Sequence, residues 1–418
     1  MDKLIFPSKI HGTVTAPASK SFFQRAIALA ILNNNEVEIS NLSDCDDAKA
    51  ALDIAQRFGC HLSFKEHSVR VDPTRIGRPE TLHCGEAGLG LRMFTPLVAL
   101  FNNVIQLTAE GSLLKRPVGF MEDPLKQLGV NTSTNQGFPP IFVKGPLKGG
   151  KALLDGSLSS QFLTGLLIAL PKASHDSELS VQSLTSIPYI DMTLQAITAF
   201  GGTIEHSNYE TFHIKGNQQY QAVEYWVEGD WSGAAGLLIA GAIGGYAQVQ
   251  GLDINSTQAD KAVLKAIIDS GAQVKALGKS IEVTSTSSLN AFTFDATHCP
   301  DLFPVLTALA ANCAGISKIK GVHRLKHKES NRALSLKNEF NKIGLNIEIE
   351  DDMMLIQGGK IHEGKVSSHH DHRIAMAMVL AGINAQGPLL IEGAECVNKS
   401  YPGFYNDMEL LGVRINTY

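Results

Sequence analysis

The sequence has little net charge, no long apolar run suited to a membrane span, and no paired cysteine motif. Its formal net charge is −5 over 418 residues, so we expect neither nucleic acid nor a membrane surface as a partner. The longest uncharged stretch, residues 231–252, contains several glycines and two glutamines and predicts a buried helix followed by a strand. Any cationic binding site must therefore be local.

The cysteines are scattered and show neither a CxxC pair nor the spacing of metal ligands. Small buried thiols in a reducing compartment account for them. The first seven residues have the composition of neither a signal peptide nor a transit peptide. We therefore expect a cytoplasmic protein without a bound metal.

The chain has a repeat of about 70 residues, marked by glycines that follow predicted helices. These glycines are Gly59, Gly129, Gly201, Gly271, Gly344 and Gly412. Each unit has the pattern strand, helix, strand, helix, hairpin, and the first helices begin near Ser19, Gly88, Ser160, Ser232, Asp301 and Asp371. Because a chain of this length exceeds one ordinary core, the repeat predicts two α/β domains of three units each.

The sixth unit ends after one strand, and residues 4–6 can supply the missing partner by pairing with the C-terminal half. This pairing predicts a split first domain, residues 1–18 with 230–418, and a continuous second domain, residues 19–229. The chain then crosses between the domains twice, as a double hinge.

Two helix starts in the second domain have features of anion sites. Lys20 and Arg25 place positive charge at the N-terminal end of the first helix, where the helix dipole disfavours it. Ser19 or Ser21 can cap that helix. The run GEAGLGLR lets a ligand approach backbone N–H groups, although ordinary turns share this composition.

Hydroxyl and amide groups begin two further helices, at Ser159-Ser160-Gln161 and at Ser186. Such groups usually cap helices, but they also suit a phosphate or a sugar-like ring. Arg116 follows a predicted strand and turn, where an ordinary surface arginine is the alternative.

The run KHKESNR precedes an apolar-periodic stretch and predicts a helix capped by Ser330 or Asn331. If the first turn reaches back to Lys328, that residue shares a face with Arg332. Glu329 lies among these cations, which suits proton transfer on an anionic substrate. A solvated basic helix start is the alternative.

Further polar groups stand at the remaining helix starts of the first domain. Asp301 is a natural N-cap, and Lys399 adds a cation before the final helix. His369, His370 and His372 lack the i, i+4 spacing of a helical zinc site. Taken together, the cations at helix starts predict a ligand with several negative charges.

These motifs resemble those of the EPSP synthase (3-phosphoshikimate 1-carboxyvinyltransferase) family over essentially the whole chain. The most specific runs are KESNR at 328–332 and DHRIAMA at 371–377. The resemblance implies an α/β fold of two similar inside-out, barrel-like domains, each built of three βαβαββ units and joined by a double crossover. These domains are expected to close over the substrates.

The resemblance implies transfer of the enolpyruvyl group of phosphoenolpyruvate to the 5-hydroxyl of shikimate 3-phosphate, with release of phosphate. The implied route is addition to a tetrahedral ketal followed by elimination. Neither a metal nor an organic cofactor is implied, and we expect a monomer.

The resemblance also implies roles for individual residues, with the first domain on the phosphoenolpyruvate side and the second on the shikimate 3-phosphate side. The residues implied for shikimate 3-phosphate are Lys20, Ser21, Arg25, Ser159, Ser160, Gln161, Ser186, Asp301 and Lys328. Those implied for phosphoenolpyruvate are Lys20, Gly88, Arg116, Gln161, Arg332, Arg373 and Lys399. The implied catalytic residues are Lys20, Asp301 as the base for the 5-hydroxyl, Glu329 as the acid toward the enol methylene carbon, and His372, which tunes Glu329 or the leaving phosphate.

Three positions depart from the family pattern: Glu86-Ala-Gly-Leu89 replaces Asn-Ala-Gly-Thr, Asn331 replaces Asp, and Arg324 stands where some members carry Asn. A carboxylate at position 86 would repel a phosphate unless Arg92 or Arg116 engages it. We therefore expect an altered phosphoenolpyruvate pocket and an altered response to glyphosate-like analogues.

Two alternatives stay open. The related enzyme that transfers enolpyruvate to UDP-N-acetylglucosamine shares the architecture, but many of its members carry a catalytic-loop Cys, and residues 109–119 contain none here. The other alternative is a non-catalytic binding module on the same scaffold. The presence of Lys20, Asp301 and Glu329 favours an enzyme.

Overall fold

The chain passes twice between two units. The computed structural model describes all 418 residues. A split unit comprises Met1–Ser19 and Glu228–Tyr418, and a continuous unit comprises Lys20–Val227. No helix is long and apolar enough to cross a membrane.

Twelve α-helices follow one another along the chain, numbered here in order. They are α1 Lys20–Ile31, α2 Asp46–Arg57, α3 Gly88–Val98, α4 Glu122–Gln127, α5 Ser160–Ala169, α6 Ile187–Ala199, α7 Trp231–Gly244, α8 Val263–Asp269, α9 Phe303–Ala311, α10 Arg332–Lys342, α11 His372–Ile383 and α12 Phe404–Leu410. Short 3-10 turns are Gly111–Lys115, Gly119–Met121, Leu170–Lys172, Ala259–Ala262, Pro300–Leu302, Val322–Leu325 and Ala394–Lys399.

The continuous unit contains three four-stranded sheets. In spatial order their strands are Glu224–Trp226, Val37–Ser40, Ser68–Asp72 and His61–Phe64; Thr81–His83, Val104–Thr108, Phe138–Lys144 and Asn131–Asn135; and Gly150–Asp155, Ser177–Gln182, Thr211–Ile214 and Glu205–Ser207. In each sheet the first two strands are parallel. The third strand pairs antiparallel with the second, and the fourth pairs antiparallel with the third.

The split unit repeats this arrangement in three more sheets. Their strands are Ile10–Thr15, Gly245–Gln250, Ser280–Thr284 and Gln273–Leu277; Thr293–Asp295, Ile316–Lys320, Met353–Gln357 and Asn346–Glu350; and Gly364–Ser367, Leu389–Glu392, Lys3–Phe6 and Arg414–Thr417. A short parallel pair joins Leu289–Asn290 to Cys313–Ala314. The predicted six-unit α/β repeat is thus confirmed.

The N-terminal strand closes the last sheet of the split unit, as predicted. Leu4 pairs with Leu390 on one side and with Asn416 on the other, both antiparallel. The last strand of the chain therefore pairs antiparallel with the first strand.

An exchange of two strands explains why the chain crosses twice. Strand Ile10–Thr15 leads into α1 but pairs with Gly245–Gln250, which follows α7. Strand Glu224–Trp226 leads into α7 but pairs with Val37–Ser40, which follows α1. Each unit is completed by a strand that precedes the crossing, and the sequence pattern did not reveal this exchange.

The first helix of each repeat is buried, and the second is amphipathic. Every residue of α3, α9 and α11 is buried, as expected for helices that are apolar on all sides. The second helices end at the six repeat glycines, which all have a positive φ between 82° and 102°. Left-handed backbone of this kind favours glycine. The buried helices start at the motifs that carry the polar residues.

Candidate active site

The start of α10 in the split unit organises a cluster of charged side chains. The helix begins at Arg332, and Asn331 caps it by accepting from the Leu334 N–H at 3.4 Å. Lys328 lies before the helix, so the condition under which it would share a helical face with Arg332 is not met. The two cations instead meet at one atom, Asp301 Oδ1, at 3.4 Å from Lys328 Nζ and 2.8 Å from Arg332 Nη1.

Arg332 is the centre of this cluster, which we call the Arg332 cluster (Asp301, Lys328, Glu329, Arg332, Asp371 and Lys399). Its side chain is 1% exposed. It donates to both oxygens of Asp371, at 2.8 and 3.2 Å, and from Nη2 to Glu329 Oε2 at 2.6 Å. With the bond to Asp301, a single guanidinium orients three carboxylates, which suits its planar fork of donors.

Asp371 ties the starts of α10 and α11 together. It is fully buried, and it caps α11 by accepting from the Arg373 N–H at 3.0 Å. It also accepts from Arg332 and from the Ser330 hydroxyl. The sequence predicted its position at a helix start but not its pairing with Arg332.

Glu329 lies between two cations. Its Oε2 accepts from Arg332, and its Oε1 lies 3.7 Å from Lys399 Nζ. The Glu329 side chain is 12% exposed and that of Lys399 is 10% exposed. The structure therefore places the predicted proton donor within the cationic group that the sequence motifs indicated.

The charges of the cluster change the acid–base properties of its members. Burial raises the pKa of Asp301, but the positive charges of Lys328, Arg373 and Arg332 outweigh burial and hold that pKa well below its usual value. Burial lowers the pKa of Lys328, against the opposing effect of Asp301. Asp301 is therefore an ionised carboxylate at neutral pH, the form that can accept a proton.

Two further predicted residues begin α11. His372 is 2% exposed, and its Nδ1 lies 3.9 Å from Asp371 Oδ1. Arg373 is 4% exposed, donates to the carbonyl oxygen and to the hydroxyl of Ser232, and lies 3.9 Å from Asp301 Oδ2. Ser232 was predicted only as a helix start.

In the continuous unit, the start of α1 carries a buried ion pair. Lys20 Nζ donates to Asp47 Oδ2 at 2.9 Å, and their side chains are 17% and 8% exposed. Gln24 donates to the backbone carbonyl of Asp47 at 3.1 Å. Asp47 was not predicted as a site residue, because nothing in its local sequence indicates the partner that the fold supplies.

Arg25 links α1 to α6. It is 1% exposed, and it donates to the Thr193 hydroxyl and to the carbonyl oxygens of Tyr189 and Ser21 at 2.8 to 3.0 Å. Burial lowers the pKa of Arg25 to about 10, so the guanidinium remains charged at neutral pH. The structure gives Arg25 a buried position between two helices, close to the predicted Ser21.

Two buried guanidinium groups meet at the start of α3. A Cβ at Gly88 would lie 3.0 Å from Arg116 Nη1 and 3.3 Å from Arg92 Nη1. Arg92 also donates to Gln161 Oε1 at 2.8 Å. Glycine at position 88 leaves room for both groups beside the helix N-terminus, an arrangement that favours an anion. The sequence motif contained Arg92, but it was not among the predicted site residues.

The hydroxyl motifs lie at helix starts of the continuous unit. Ser159 caps α5 by accepting from the Gln161 N–H at 3.2 Å, and Ser160 is buried. Ser186 precedes α6 in a left-handed conformation, with φ 58°, and is 4% exposed. The capping interpretation therefore holds for Ser159, whereas Ser186 makes no capping hydrogen bond with its side chain.

Glu86 contacts the turn that leads to Arg116. Its Oε2 accepts from the Ser112 hydroxyl at 3.1 Å, and a Cβ at Gly111 would lie 1.9 Å from its Oε1. Gly111 has φ 55°. The carboxylate that distinguishes this chain from the family pattern is thus packed against the 111–115 turn.

The comparisons with known proteins agree with this architecture. A sequence model of the family described as EPSP synthase (3-phosphoshikimate 1-carboxyvinyltransferase) matches residues 6–408. A 3-phosphoshikimate 1-carboxyvinyltransferase of Clostridium kluyveri is 36% identical, over 99% of this chain and 98% of that protein. One of Clostridioides difficile is 35% identical, over 99% and 98%.

Solved structures show the same fold. The EPSP synthase of Acinetobacter baumannii superposes with a TM-score of 0.85 at 24% identity, covering 100% of both chains. The enolpyruvyl transferase NikO of Streptomyces tendae gives a TM-score of 0.81 at 17% identity, covering 99% of this chain and 98% of that one.

Proposed function

Since this chain belongs to the EPSP synthase (3-phosphoshikimate 1-carboxyvinyltransferase) family, we propose that it transfers the enolpyruvyl group of phosphoenolpyruvate to the 5-hydroxyl of shikimate 3-phosphate. The single observation that supports this proposal most directly is the Arg332 cluster. It places an ionised carboxylate, Asp301, and a second carboxylate, Glu329, on one guanidinium. A reaction that removes one proton and adds another needs two such groups.

In the addition step, the 5-hydroxyl oxygen attacks C2 of phosphoenolpyruvate while Asp301 accepts the hydroxyl proton. Glu329, in its protonated form, delivers its proton to the methylene carbon C3, which becomes a methyl group, and Glu329 is left as a carboxylate. A tetrahedral ketal that still carries the phosphate results. The low pKa of Asp301 keeps its carboxylate ionised, the form that can accept a proton. Because the same cations also weaken its basicity, the acceptor role rests on its position in the Arg332 cluster.

In the elimination step, the Glu329 carboxylate takes one methyl proton back, the C2–C3 double bond forms again, and the C2–O bond breaks with its electron pair leaving on phosphate. The products are 5-enolpyruvylshikimate 3-phosphate and inorganic phosphate. Lys20, Arg116 and Lys399 provide positive charge for the substrate anions in this proposal, and His372 adjusts Glu329 or the leaving phosphate. Charge-assisted bonds of this kind are the strong ones.

The substrate sets proposed from the sequence are kept. The residues proposed to bind shikimate 3-phosphate are Lys20, Ser21, Arg25, Ser159, Ser160, Gln161, Ser186, Asp301 and Lys328. The residues proposed to bind phosphoenolpyruvate are Lys20, Gly88, Arg116, Gln161, Arg332, Arg373 and Lys399. The pairing of Arg92 with Gln161 at 2.8 Å supports adding Arg92 to the second set.

We also propose that the enzyme is a cytoplasmic monomer without a metal or organic cofactor. All six cysteines are free, and five of them are buried, which suits a reducing compartment. Sedimentation of the purified enzyme at working concentration tests the oligomeric state, and activity after dialysis against a chelator tests the proposed independence from metal.

The test of the reaction is phosphate release from phosphoenolpyruvate, with shikimate 3-phosphate or UDP-N-acetylglucosamine as the acceptor. We expect release with shikimate 3-phosphate alone, and a loss of at least about a hundredfold in Glu329→Ala. Glu350→Ala, at an exposed strand position, is the matched control and should keep full activity. Release only with the nucleotide sugar would assign the chain to the other transferase.

A further inference from the structure

Ser232, in the first turn of α7, holds the guanidinium of Arg373. Nη1 donates to its backbone carbonyl at 3.0 Å, and Nη2 donates to its hydroxyl. A further donor of Arg373, Nε, is buried without a hydrogen-bond partner. Both of these hydrogen bonds of the guanidinium therefore go to one serine.

Asp260 is a second partner of the Ser232 side chain. Its carboxyl is 3% exposed and forms a hydrogen bond with the Ser232 hydroxyl. Because a hydroxyl has one proton and two acceptor positions, the Ser232 hydroxyl donates its hydrogen bond to an ionised Asp260, and the serine oxygen accepts from Arg373. The direction of the relay is then fixed as Arg373 to Ser232 to Asp260.

The second oxygen of the carboxyl has no such partner. Asp260 Oδ1 is buried without a hydrogen bond, and an unpaired buried oxygen is costly when it carries charge. The neutral acid reduces this cost, whereas the ionised acid depends on the nearby positive charge of Arg373. The proton on Asp260 and the charge on Arg373 are therefore coupled.

Charged groups face Asp260 from three sides. Asp301 comes from the 300–302 turn, Arg373 from α11, and Asp230 from the start of α7; the Cys299 thiol also lies within its electrostatic reach. Burial first, and then the negative charge of Asp301, raise the pKa of Asp260 to about 7, while Arg373 and the Ser232 hydrogen bond oppose the rise. Asp260 thus changes its ionisation near neutral pH.

We propose that Asp260 positions Arg373 through the Ser232 hydroxyl, and that the protonation state of Asp260 decides how strongly Arg373 attracts an anionic substrate. The inference rests on the proposed function in taking phosphoenolpyruvate as that anion. With Asp260 neutral, more of the charge of Arg373 is available to the substrate. With Asp260 ionised, Asp260 joins Asp301 in competing with the substrate for that charge. Asp260 contacts no reacting atom, so it is a positioning residue.

The test is the KM for phosphoenolpyruvate measured across pH. In the wild type it should rise roughly threefold to tenfold between about pH 6 and pH 8.5, with smaller changes in kcat and in the KM for shikimate 3-phosphate. Asp260→Asn should remove most of this rise. Because the substrate itself ionises in the same way with every variant, the effect of Asp260 is the difference between the curves of KM against pH.

Two serine variants test the relay without changing the carboxyl. Ser232→Ala should raise the KM for phosphoenolpyruvate at both ends of the pH range, and Ser232→Thr should restore it. Asp295→Asn removes an exposed carboxylate that pairs with Lys320 at 3.2 Å and should keep the wild-type profile. If Asp260→Asn fails to fold, the two serine variants still test the relay. An unchanged KM for phosphoenolpyruvate in Ser232→Ala would overturn it.

A binding measurement separates this inference from the proposed reaction. Trp231 is buried next to Ser232, and the other tryptophan, Trp226, is 65% exposed. If the wild type releases no phosphate, the proposed reaction is wrong, and phosphoenolpyruvate is then titrated against Trp231 fluorescence in a Trp226→Phe background. Loss of the pH dependence in Asp260→Asn supports the relay; absent binding, or equal pH dependence in both proteins, overturns it.

Discussion

Arg332 and Asp371 form a two-point contact between the starts of α10 and α11, with Nε and Nη2 of the arginine donating to the two carboxylate oxygens at 2.8 and 3.2 Å. The two side chains are 1% and 0% exposed. Because each is buried, each depends on the other for its charge balance. This pair holds Glu329 and Asp301 in place through the remaining donors of Arg332.

Removal of one partner should destabilise the fold. We expect Asp371→Ala to lower the free energy of unfolding by about 3–5 kcal/mol, because it leaves the Arg332 charge buried without its main partner. Denaturant unfolding followed by circular dichroism measures the change. The exposed substitution Glu350→Ala is the control.

A double variant separates stability from activity. Arg332→Met combined with Asp371→Leu should recover part of the lost stability, because apolar groups replace a buried ion pair at little cost, although Asp301 and Glu329 lose a partner and α11 loses its cap. The double variant should remain inactive. If Asp371→Ala were as stable as the wild type, the pair would not have the stabilising role assigned to it.

Asp301 should make stability depend on acid pH. Since its folded pKa is depressed by Lys328, Arg373 and Arg332 against the effect of burial, its stabilising contribution is complete above the unfolded-state pKa of about 3.9 and is lost as pH falls toward the lower folded value. Unfolding midpoints measured from neutral pH to about pH 3 should therefore fall more steeply for the wild type than for Asp301→Asn.

Asp351→Asn is the matched control for that comparison. Asp351 is exposed and has φ 51°, a conformation that Asn also adopts readily. The control should follow the wild-type curve. Parallel curves for the wild type and Asp301→Asn would show that the cations do not stabilise the carboxylate.

The helix starts and the repeat could be predicted because their signals are local. A glycine after each amphipathic stretch and a polar residue before each apolar stretch mark the ends of helices whatever the tertiary fold. The closing strand followed from an unfilled hairpin. The exchange of strands Ile10–Thr15 and Glu224–Trp226 left no such mark, since either pairing satisfies the same alternating pattern.

The candidate site was predictable for its cations and for the carboxylates Asp301 and Glu329, but not for Asp47 and Asp260. A lysine or arginine at a helix N-terminus opposes the dipole and is noticeable in the sequence. Asp47 and Asp260 lie in ordinary acidic surroundings, and only the fold brings them to Lys20 and Ser232. The sequence left the cap of α10 open between Ser330 and Asn331, and the structure shows that Asn331 is the capping residue.

Gly111 should be more sensitive to substitution than a left-handed glycine with open space beside it. In Gly111→Ala the new Cβ would meet the Glu86 carboxylate at 1.9 Å, in addition to the strain of φ 55°. We expect the Glu86 carboxylate to move away and lose its contact with Ser112, which loosens the turn before Arg116 and raises the KM for phosphoenolpyruvate roughly tenfold. Steady-state kinetics with shikimate 3-phosphate in excess measure the change.

Gly129→Ala is the control for backbone strain alone. Gly129 has φ 82° and nothing within 4 Å of an added Cβ, so its substitution should cost stability but leave KM unchanged. Glu86→Asn combined with Gly111→Ala should recover part of the loss, because the shorter side chain relieves the contact. Equal kinetics in the two alanine variants would exclude a role for Glu86 in placing Arg116.

Arg92→Lys tests the arginine that was not among the predicted site residues. Arg92 donates to Gln161 at 2.8 Å and lies beside Gly88, and lysine cannot reproduce the planar fork of donors. We expect the KM for phosphoenolpyruvate to rise roughly threefold to tenfold without loss of stability. Arg57→Lys, at an exposed ion pair with Asp53, should behave like the wild type; a similar KM in both lysine variants would assign Arg92 to packing.

The central claim is a proton-linked addition and elimination at the methylene carbon of phosphoenolpyruvate. The most direct measurement is the reaction with shikimate 3-phosphate in heavy water, with the product analysed by mass spectrometry and proton magnetic resonance. Our account predicts 5-enolpyruvylshikimate 3-phosphate with deuterium in its vinyl methylene group, because that carbon is a methyl group in the intermediate. Formation of the same product without deuterium, or of no such product, would contradict it.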